Sequence, residues 1–184
     1  MVTSNVLIGG VCSLRQIELD DCTEEYVGWL NDPRVNKFLE TRWETQDINS
    51  IREFVRSQID NDTSYLFAIV SGKEEKHIGN IKIGPVNKRH KHADISYFVG
   101  DVSFWRRGIA TEAIGLVCGF GFNSLNLNRI EAGAYAAAEA SWRALERNGF
   151  MREAVFRQQA LCDGSYMDVY RYGLLRSEYR DREE

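Results

Sequence analysis

Proline and long apolar runs are both scarce in this sequence. Only 2 of its 184 residues are proline and 11% are aromatic, a composition that excludes an intrinsically disordered chain. The 15 glycines follow no period, which excludes a collagen-like fold. The longest mainly apolar stretch, residues 109–122, contains Thr111, Glu112 and several glycines and is too short to cross a bilayer. We therefore expect a globular domain with no membrane partner.

An excess of positive charge is also missing. The chain has 23 basic and 27 acidic residues, which gives a formal net charge of −4. Such a domain lacks the sequence-independent attraction to phosphate backbones that usually accompanies nucleic-acid binding. We therefore predict that nucleic acid is not a partner.

The patterns of metal ligands and of export are absent as well. The 4 cysteines form no CxxC pair, and none of the 3 histidines belongs to a motif, so we predict no metal site. The first residues, MVTSNVLIGG, lack the charged and apolar segments of a secretory signal. We therefore expect reduced, mostly buried thiols in a cytoplasmic protein.

Hydrophobic periodicity predicts one domain over residues 1–184, of the α/β class with a mixed sheet. The predicted order is strand, two helices, three strands, helix, strand, helix and two strands. The N-cap of the first helix is expected at Asp20 or Asp21, and that of the second at Thr45. The third helix is expected to span about residues 108–123.

The segment FWRRGIATEA, residues 104–113, is the most informative for chemistry. A strand is predicted to end near Gly100, and a helix is predicted to begin at Gly108. Free N–H groups and the helix dipole make such a helix start an anion site, and Arg106 and Arg107 can add positive charge. The alternative is an ordinary strand-to-helix turn with two solvated arginines. The segment matches neither the Walker A loop nor the dinucleotide-binding fingerprint.

Four segments resemble those of one enzyme family. WRRGIATEA at residues 105–113 resembles the acetyl-CoA pyrophosphate loop of the GNAT N-acetyltransferases. Its wording is similar to the branch that includes ribosomal-protein N-terminal acetyltransferases and bacterial amino-sugar acetyltransferases. ASWRALERNGF at 140–150, ADISYF at 93–98 and WLNDPRV at 29–35 resemble further segments of that branch. The four lie in the family's order, within about residues 11–175.

The resemblance implies a mostly antiparallel sheet, flanked by about four helices, that opens between its fourth and fifth strands and holds acetyl-CoA there. In this chain those strands are about residues 94–100 and 129–135. The N–H of Val99 or Gly100 is implied to polarise the thioester carbonyl, and the amides of residues 107–111 are implied to hold the pyrophosphate. The cofactor-binding residues implied in this way are Phe98, Val99, Gly100, Arg106, Arg107, Gly108, Ile109, Ala110, Thr111 and Ser141.

The resemblance also implies direct attack of an amine on the thioester in a ternary complex, which requires two proton transfers. Asp94 is the first candidate for the base, because some GNAT enzymes place a glutamate in this strand, and Glu40 is the second. Ser141 is the candidate acid, because Leu145 occupies the usual tyrosine position. Ala138 stands where the family usually has an asparagine that contacts CoA. A surface carboxylate and a serine bonded within its own helix are the alternatives for Asp94 and Ser141.

The acceptor is expected to bind along residues 29–43, which cover the acceptor side of the gap in this family. The candidate substrate-binding residues are Trp29, Asn36, Glu40, Arg42 and, on the last strand, Asp168. Glu40 could bind the amine and Arg42 an anionic group such as a diphosphate. We favour a small amine-bearing metabolite, first a nucleotide-linked amino sugar, with a protein N-terminus close behind. An idle acyl-CoA sensor and a plain interaction module stay open, and either a monomer or a homodimer is expected.

Overall fold

The computed structural model describes residues 6–180, which form an eight-stranded sheet flanked by helices. The strands lie in the order β1-β2-β3-β4-β5-β6-β8-β7, and of the neighbouring pairs only β5 and β6 run parallel. The strands are β1 (Leu7–Ile8), β2 (Cys12–Gln16), β3 (Tyr65–Ser71), β4 (His77–Ile83), β5 (His92–Val99), β6 (Arg129–Tyr135), β7 (Met151–Cys162) and β8 (Ser165–Leu175). The predicted α/β class with a mixed sheet is confirmed, with a β1–β2 hairpin in place of one first strand.

Within residues 6–180, five α-helices lie on the two faces of the sheet. They are α1 (Glu24–Asn31), α2 (Pro33–Asn36), α3 (Ile48–Ile59), α4 (Ile109–Gly119) and α5 (Glu139–Arg147). The sheet has a hydrophobic core on each face, and alternate residues of β3 belong to different cores. Phe67 and Ile69 pack with α4 and α5, whereas Leu66 and Ala68 pack with α1 and α3. No helix within residues 6–180 is long and apolar enough to span a membrane.

Two predicted helix caps are corrected by the structure. Thr23, rather than Asp20 or Asp21, caps α1 by accepting a hydrogen bond from a backbone amide of the first turn. Asp47, rather than Thr45, caps α3 in the same way. An N-cap oxygen must come from the residue that directly precedes the first helical residue, and the predicted caps lie two or three positions too early.

The third predicted helix is confirmed, because α4 and the π-helical turn that continues it cover residues 109–124. The parallel strands β5 and β6 then separate along their length. Residues 92–95 pair with residues 129–132, where this pairing ends. The rest of β5 stays paired with β4, and the rest of β6 stays paired with β8. The two strands therefore diverge towards their carboxyl ends and leave the gap that the resemblance implied.

Candidate active site

The loop between β5 and α4 presents backbone amides beyond the carboxyl end of β5. Gly108 is the N-cap of α4 with φ +82°, and Arg106 also has a positive φ, +62°. Within residues 6–180 no side chain caps this helix, so its first N–H groups, on residues 109–111, have no capping partner. A Cβ added to Gly108 would have no atom within 4 Å. Arg106 and Arg107 are exposed beside this opening, which therefore suits an anion such as a pyrophosphate.

Contacts to other elements fix the first turn of α4. The Glu112 carboxylate accepts hydrogen bonds from the three amides of residues 10–12 in the β1–β2 hairpin, at 2.6–2.8 Å. Burial alone would raise the pKa of this carboxyl, but the three amides outweigh burial and hold its pKa below the ordinary value. Asn148, which follows α5, donates to the Thr111 carbonyl at 2.9 Å. The anion-binding loop is thus anchored from both the hairpin and α5.

One backbone amide at the end of β5 is directed into the gap. The Gly100 N–H donates to the Ile78 carbonyl at 2.8 Å, so it faces β4. Neighbouring residues of a strand direct their N–H groups to opposite sides. The Phe98 N–H therefore also faces β4, whereas the Val99 N–H faces β6. The Phe98 and Gly100 amides, which were expected to contact the cofactor, are therefore directed to β4 instead, and the Val99 N–H is the one that faces the gap. The Val99 carbonyl accepts a hydrogen bond from Trp105 Nε1 at 2.8 Å.

Trp29 lies in the core instead of at an open acceptor surface. Its side chain is 7% exposed and packs between α1 and the sheet. A Cβ on Gly100 would lie 2.3 Å from the Trp29 ring, so a glycine is required at position 100 by this packing. The ring also stands edge-on to His77 and Phe98, with centroids 5.1 and 6.5 Å away. Trp29, a candidate substrate-binding residue by sequence, is therefore corrected to a packing residue of the core.

The side chains of Asn36 and Asp168 both form hydrogen bonds with backbone groups. Asn36 donates to the Leu30 carbonyl at 2.8 Å and borders a cleft between α2 and the β7–β8 hairpin. Asp168 accepts a hydrogen bond from the Gln158 N–H at 2.9 Å. Asp168 also shares a face of β8 with Tyr172, which is buried in the core under α4 and α5. Asp168 is therefore turned away from the face that carries residues 29–43.

Ser141 lies in the first turn of α5 and contacts β5 across the gap. Its Oγ is 2.8 Å from the hydroxyl oxygen of Tyr97, and the same hydroxyl donates to the Ser141 carbonyl at 3.0 Å. Tyr97 belongs to the part of β5 that has separated from β6. The predicted acid is therefore at the gap and has a tyrosine partner.

Asp94 lies in the part of β5 that still pairs with β6. Its carboxylate forms an ion pair with Arg171 at 2.7 Å, and Arg171 lies 3.6 Å from Glu131. The carboxylate therefore belongs to a charged cluster on the open face of the sheet, before the strands diverge. Val99 lies five positions further along the extended strand than Asp94, a span of about 16 Å.

Side chains that follow α2 meet the carboxyl end of β6. The Tyr135 hydroxyl donates to the Glu40 carboxylate, and Trp43 Nε1 donates to the same carboxylate at 3.2 Å. Arg42 donates to the Tyr135 oxygen at 3.1 Å and to two backbone carbonyls at 2.7 and 2.9 Å. The Glu40 side chain is 75% exposed and that of Arg42 only 12%. Glu40 is therefore accessible to a ligand, whereas Arg42 links the segment of residues 40–43 to the β7–β8 hairpin.

Sequence reasoning did not single out Tyr97 or Tyr135 as functional. Tyr97 has the alternation of a core residue, and Tyr135 is the last residue of a predicted strand. The position of Tyr135 could have identified it from the sequence, because side chains at the diverging ends of two parallel strands border the gap. No group of three or more His, Cys, Asp or Glu within residues 6–180 is arranged to hold a metal ion.

Comparison with known proteins agrees with this geometry. The family model of the acetyltransferase (GNAT) domain matches residues 12–151. The chain is 31% identical over 172 residues to "Uncharacterized N-acetyltransferase p20" of Bacillus licheniformis, which covers 91% of this chain and 94% of that protein. It is 24% identical over 174 residues to spermidine N(1)-acetyltransferase of Vibrio cholerae, which covers 94% and 97%.

A solved structure of a spermidine N-acetyltransferase from Vibrio cholerae, in complex with CoA and spermine, has the same fold. Its TM-score is 0.82 at 20% identity, over 93% of this chain and 99% of that chain. The family match extends from β2 to the start of β7 and so includes the diverging strands and the loop before α4. The chain therefore belongs to the GNAT family and is an acetyl-CoA-dependent N-acetyltransferase.

Proposed function

We propose that the protein acetylates a primary amine of a small cationic molecule of the polyamine class, which binds at Glu40. The exposed Glu40 carboxylate carries this proposal, because Tyr135 and Trp43 orient it at the carboxyl end of β6, where β6 no longer pairs with β5. Both of these donors are neutral. Arg42 also lies 3.4 Å from this carboxylate, but its shorter hydrogen bonds go to Tyr135 and to two backbone carbonyls. The carboxylate can therefore still accept a charge-assisted hydrogen bond from an ammonium group.

The cations of the acceptor side are already bound to protein groups. Arg42 uses its donors on Tyr135, on two backbone carbonyls and, at 3.4 Å, on Glu40. Lys37 forms an ion pair with Asp163 at 2.7 Å. A diphosphate would have to displace these contacts, which weighs against the nucleotide-linked amino sugar that the sequence favoured. A cationic acceptor at Glu40 competes with the longest of these contacts, that of Arg42 to Glu40, and leaves the others in place.

One relative supports the same class of acceptor. The spermidine N(1)-acetyltransferase of Vibrio cholerae is named for a polyamine substrate and aligns with 94% of this chain. A polyamine is a cation at neutral pH, so the amine that reacts can first bind the Glu40 carboxylate as an ammonium group and then lose its proton to it. Glu40 and the exposed Glu44 both lie on the segment between α2 and α3.

The residues at the gap fit the thioester of acetyl-CoA, which supplies the acetyl group when it is bound. We assign the pyrophosphate to the amides of residues 107–111 and the side chains of Arg106 and Arg107. We assign the thioester carbonyl to the Val99 N–H, which donates a hydrogen bond as negative charge develops on the oxygen. As the new C–N bond forms and the C–S bond breaks, the Ser141 hydroxyl donates to the departing sulfur.

The amine proton needs an acceptor within hydrogen-bond reach or one water away. Asp94 lies about 16 Å along the strand from the Val99 amide, and its carboxylate is engaged by Arg171. Glu40 contacts the last residue of β6, at the open end of the gap. We therefore assign the base to Glu40 in place of Asp94.

Thiol release from acetyl-CoA tests the proposal with three acceptors: spermidine, a nucleotide-linked amino sugar and a peptide with a free N-terminus. We expect release with spermidine. The Glu40→Gln substitution keeps the shape but removes the charge, and should raise the KM for spermidine about tenfold, since a charge-assisted hydrogen bond contributes about 1.5–3 kcal/mol. The KM for acetyl-CoA should stay within about twofold of that of the unmodified protein.

Glu44→Gln is the matched control, because it removes a neighbouring exposed carboxylate that is not bonded to Tyr135. Asp94→Asn compares the two candidate bases, and we expect it to lower kcat less than Glu40→Gln does. Faster release with the peptide or with the amino sugar than with spermidine would contradict the polyamine class. An unchanged KM for spermidine in Glu40→Gln would contradict the binding site.

A further inference from the structure

The Tyr97 hydroxyl holds Ser141 at two atoms. It lies 2.8 Å from Oγ and 3.0 Å from the carbonyl oxygen of the same residue. The two residues come from opposite sides of the gap, since Tyr97 is on the separated part of β5 and Ser141 is on the helix that follows β6. The pair therefore bridges the two elements between which the thioester is expected to lie.

The geometry limits how the hydrogens can be arranged. A carbonyl oxygen only accepts, so the Tyr97 hydrogen goes either to that oxygen or to Ser141 Oγ. When Tyr97 donates to Oγ, the serine hydrogen is free to point into the gap. When Tyr97 donates to the carbonyl, its own oxygen can accept the serine hydrogen. In both arrangements the phenol contacts the serine at two points and fixes the position of Oγ. Only the first arrangement leaves the serine hydrogen for a group in the gap, so the donor role of Ser141 requires that Tyr97 donates to Oγ.

The protonation state of Tyr97 agrees with the role of a donor. Burial raises the pKa of Tyr97 to about 12, so the phenol keeps its proton at neutral pH. Its ring packs against the core under α4 and α5, which leaves the hydroxyl as the group that meets α5.

We propose that Tyr97 is a positioning residue that holds Ser141 Oγ where it donates to the departing sulfur. This inference rests on the role proposed above for Ser141. Tyr97 makes no contact with the reacting atoms, and it acts through the orientation of the serine. Without the phenol, Ser141 could adopt other staggered rotamers, in which its hydroxyl no longer points into the gap.

A second tyrosine of the same core provides a matched control. Tyr172 on β8 is 1% exposed, and its hydroxyl donates to Glu146 on α5 at 3.0 Å. Both tyrosines therefore contact α5 from the sheet, but Tyr172 contacts Glu146 near the end of the helix and not Ser141. Phenylalanine at either position removes one hydroxyl and keeps the ring.

The experiment is a double-mutant cycle on kcat with Tyr97→Phe, Ser141→Ala and the two combined, run with whichever amine the protein acetylates fastest. We expect Tyr97→Phe to lower kcat about tenfold, with the KM for acetyl-CoA within about twofold. In the Ser141→Ala protein the same substitution should change kcat less than about twofold, because the group that Tyr97 orients is gone. Tyr172→Phe should shift the unfolding temperature about as much as Tyr97→Phe and leave kcat within about twofold.

Each contrary result has one meaning. Equal losses of kcat in Tyr97→Phe and Tyr172→Phe, or additive losses in the cycle, would overturn the positioning role. An unchanged kcat in Ser141→Ala would overturn the donor role of Ser141 and this inference with it. A different preferred amine would overturn the polyamine class alone, because the cycle does not depend on the acceptor.

Discussion

The two sides of the gap present different kinds of group to a ligand, backbone amides on one side and side chains on the other. In the site proposed above, the cofactor side consists of backbone amides. They are those of residues 107–111 and that of Val99, which one continuous segment from β5 into α4 holds in place. The acceptor side consists of long side chains, chiefly Glu40 and Arg42, that reach β6 and the β7–β8 hairpin from a segment far away in the chain.

The difference has a physical consequence. A site made of amides depends on backbone dihedral angles, so it tolerates side-chain changes but not a change at Gly108, which has φ +82°. A site made of side chains depends on rotamers and on partners from several elements, so one substitution redirects several groups. We therefore expect changes on the cofactor side to act on affinity for acetyl-CoA and changes on the acceptor side to act on the amine.

The largest effect is expected for Gly108→Val. A β-branched residue at φ +82° is strained by about 1–3 kcal/mol, and relief of that strain would turn the amides out of the anion site. We expect the affinity for CoA, measured by titration calorimetry, to fall about 100-fold.

Gly164→Val is the matched control, because Gly164 has φ +74° and equally open surroundings at the hairpin turn. It should lower the unfolding temperature by a similar amount and leave CoA affinity unchanged. Equal affinity of Gly108→Val and the unmodified protein for CoA would contradict the assignment of the loop.

Glu112→Gln should have the next largest effect. The amide cannot satisfy the three hairpin N–H groups as a carboxylate does, and a bond to a charged group contributes about 1.5–3 kcal/mol. We expect the free energy of unfolding at neutral pH to fall by about 2 kcal/mol and the KM for acetyl-CoA to rise severalfold. Glu24→Gln, an exposed acid in the first turn of α1, should change neither.

The stabilisation of the fold by Glu112 depends on pH, and the sign of this dependence follows from its pKa. The pKa of Glu112 is lower in the folded protein than its ordinary value of 4.5. The carboxylate therefore stabilises the fold fully above pH 4.5, and this stabilisation is lost as the pH falls through the lower folded value. In urea unfolding, the Glu112→Gln protein should lose less stability than the unmodified protein on acidification. Parallel losses would contradict the contact with the hairpin.

The same contrast explains what could be predicted from the sequence. The loop at residues 104–113 is local, so its pattern predicts a strand-to-helix turn whose amides the structure leaves uncapped. The faces of Val99 and Gly100 depend on pairing with β4, which no pattern within β5 reveals. Tyr135 and Glu40 are 95 positions apart, so only the folded chain brings them together. The spacing of Trp29 in the sequence places it on one face of a helix, but it does not reveal that the ring packs directly against Gly100. That contact decides the burial of Trp29.

The smallest effect is expected for Arg42→Ala, on the acceptor side. Arg42 orients Tyr135, and through it Glu40, but its buried guanidinium is not free to bind a substrate. We expect kcat/KM for the amine to fall about fivefold, by the same factor for spermidine and for a neutral-tailed peptide, with the KM for acetyl-CoA unchanged. Steady-state kinetics with both acceptors measures this.

Arg42→Lys distinguishes charge from shape at this position. Lysine keeps the positive charge but cannot place several N–H groups on Tyr135 and two backbone carbonyls at once, so it should behave like alanine. Arg34→Ala removes an exposed arginine that forms an ion pair with Asp32, two positions earlier, and it should have no effect on either substrate. Recovery of activity in Arg42→Lys, together with a loss confined to an anionic acceptor in Arg42→Ala, would show that this charge binds substrate directly. The acceptor side would then recognise a phosphate, as the sequence first suggested, and Glu40 would lose its place as the group that selects the amine.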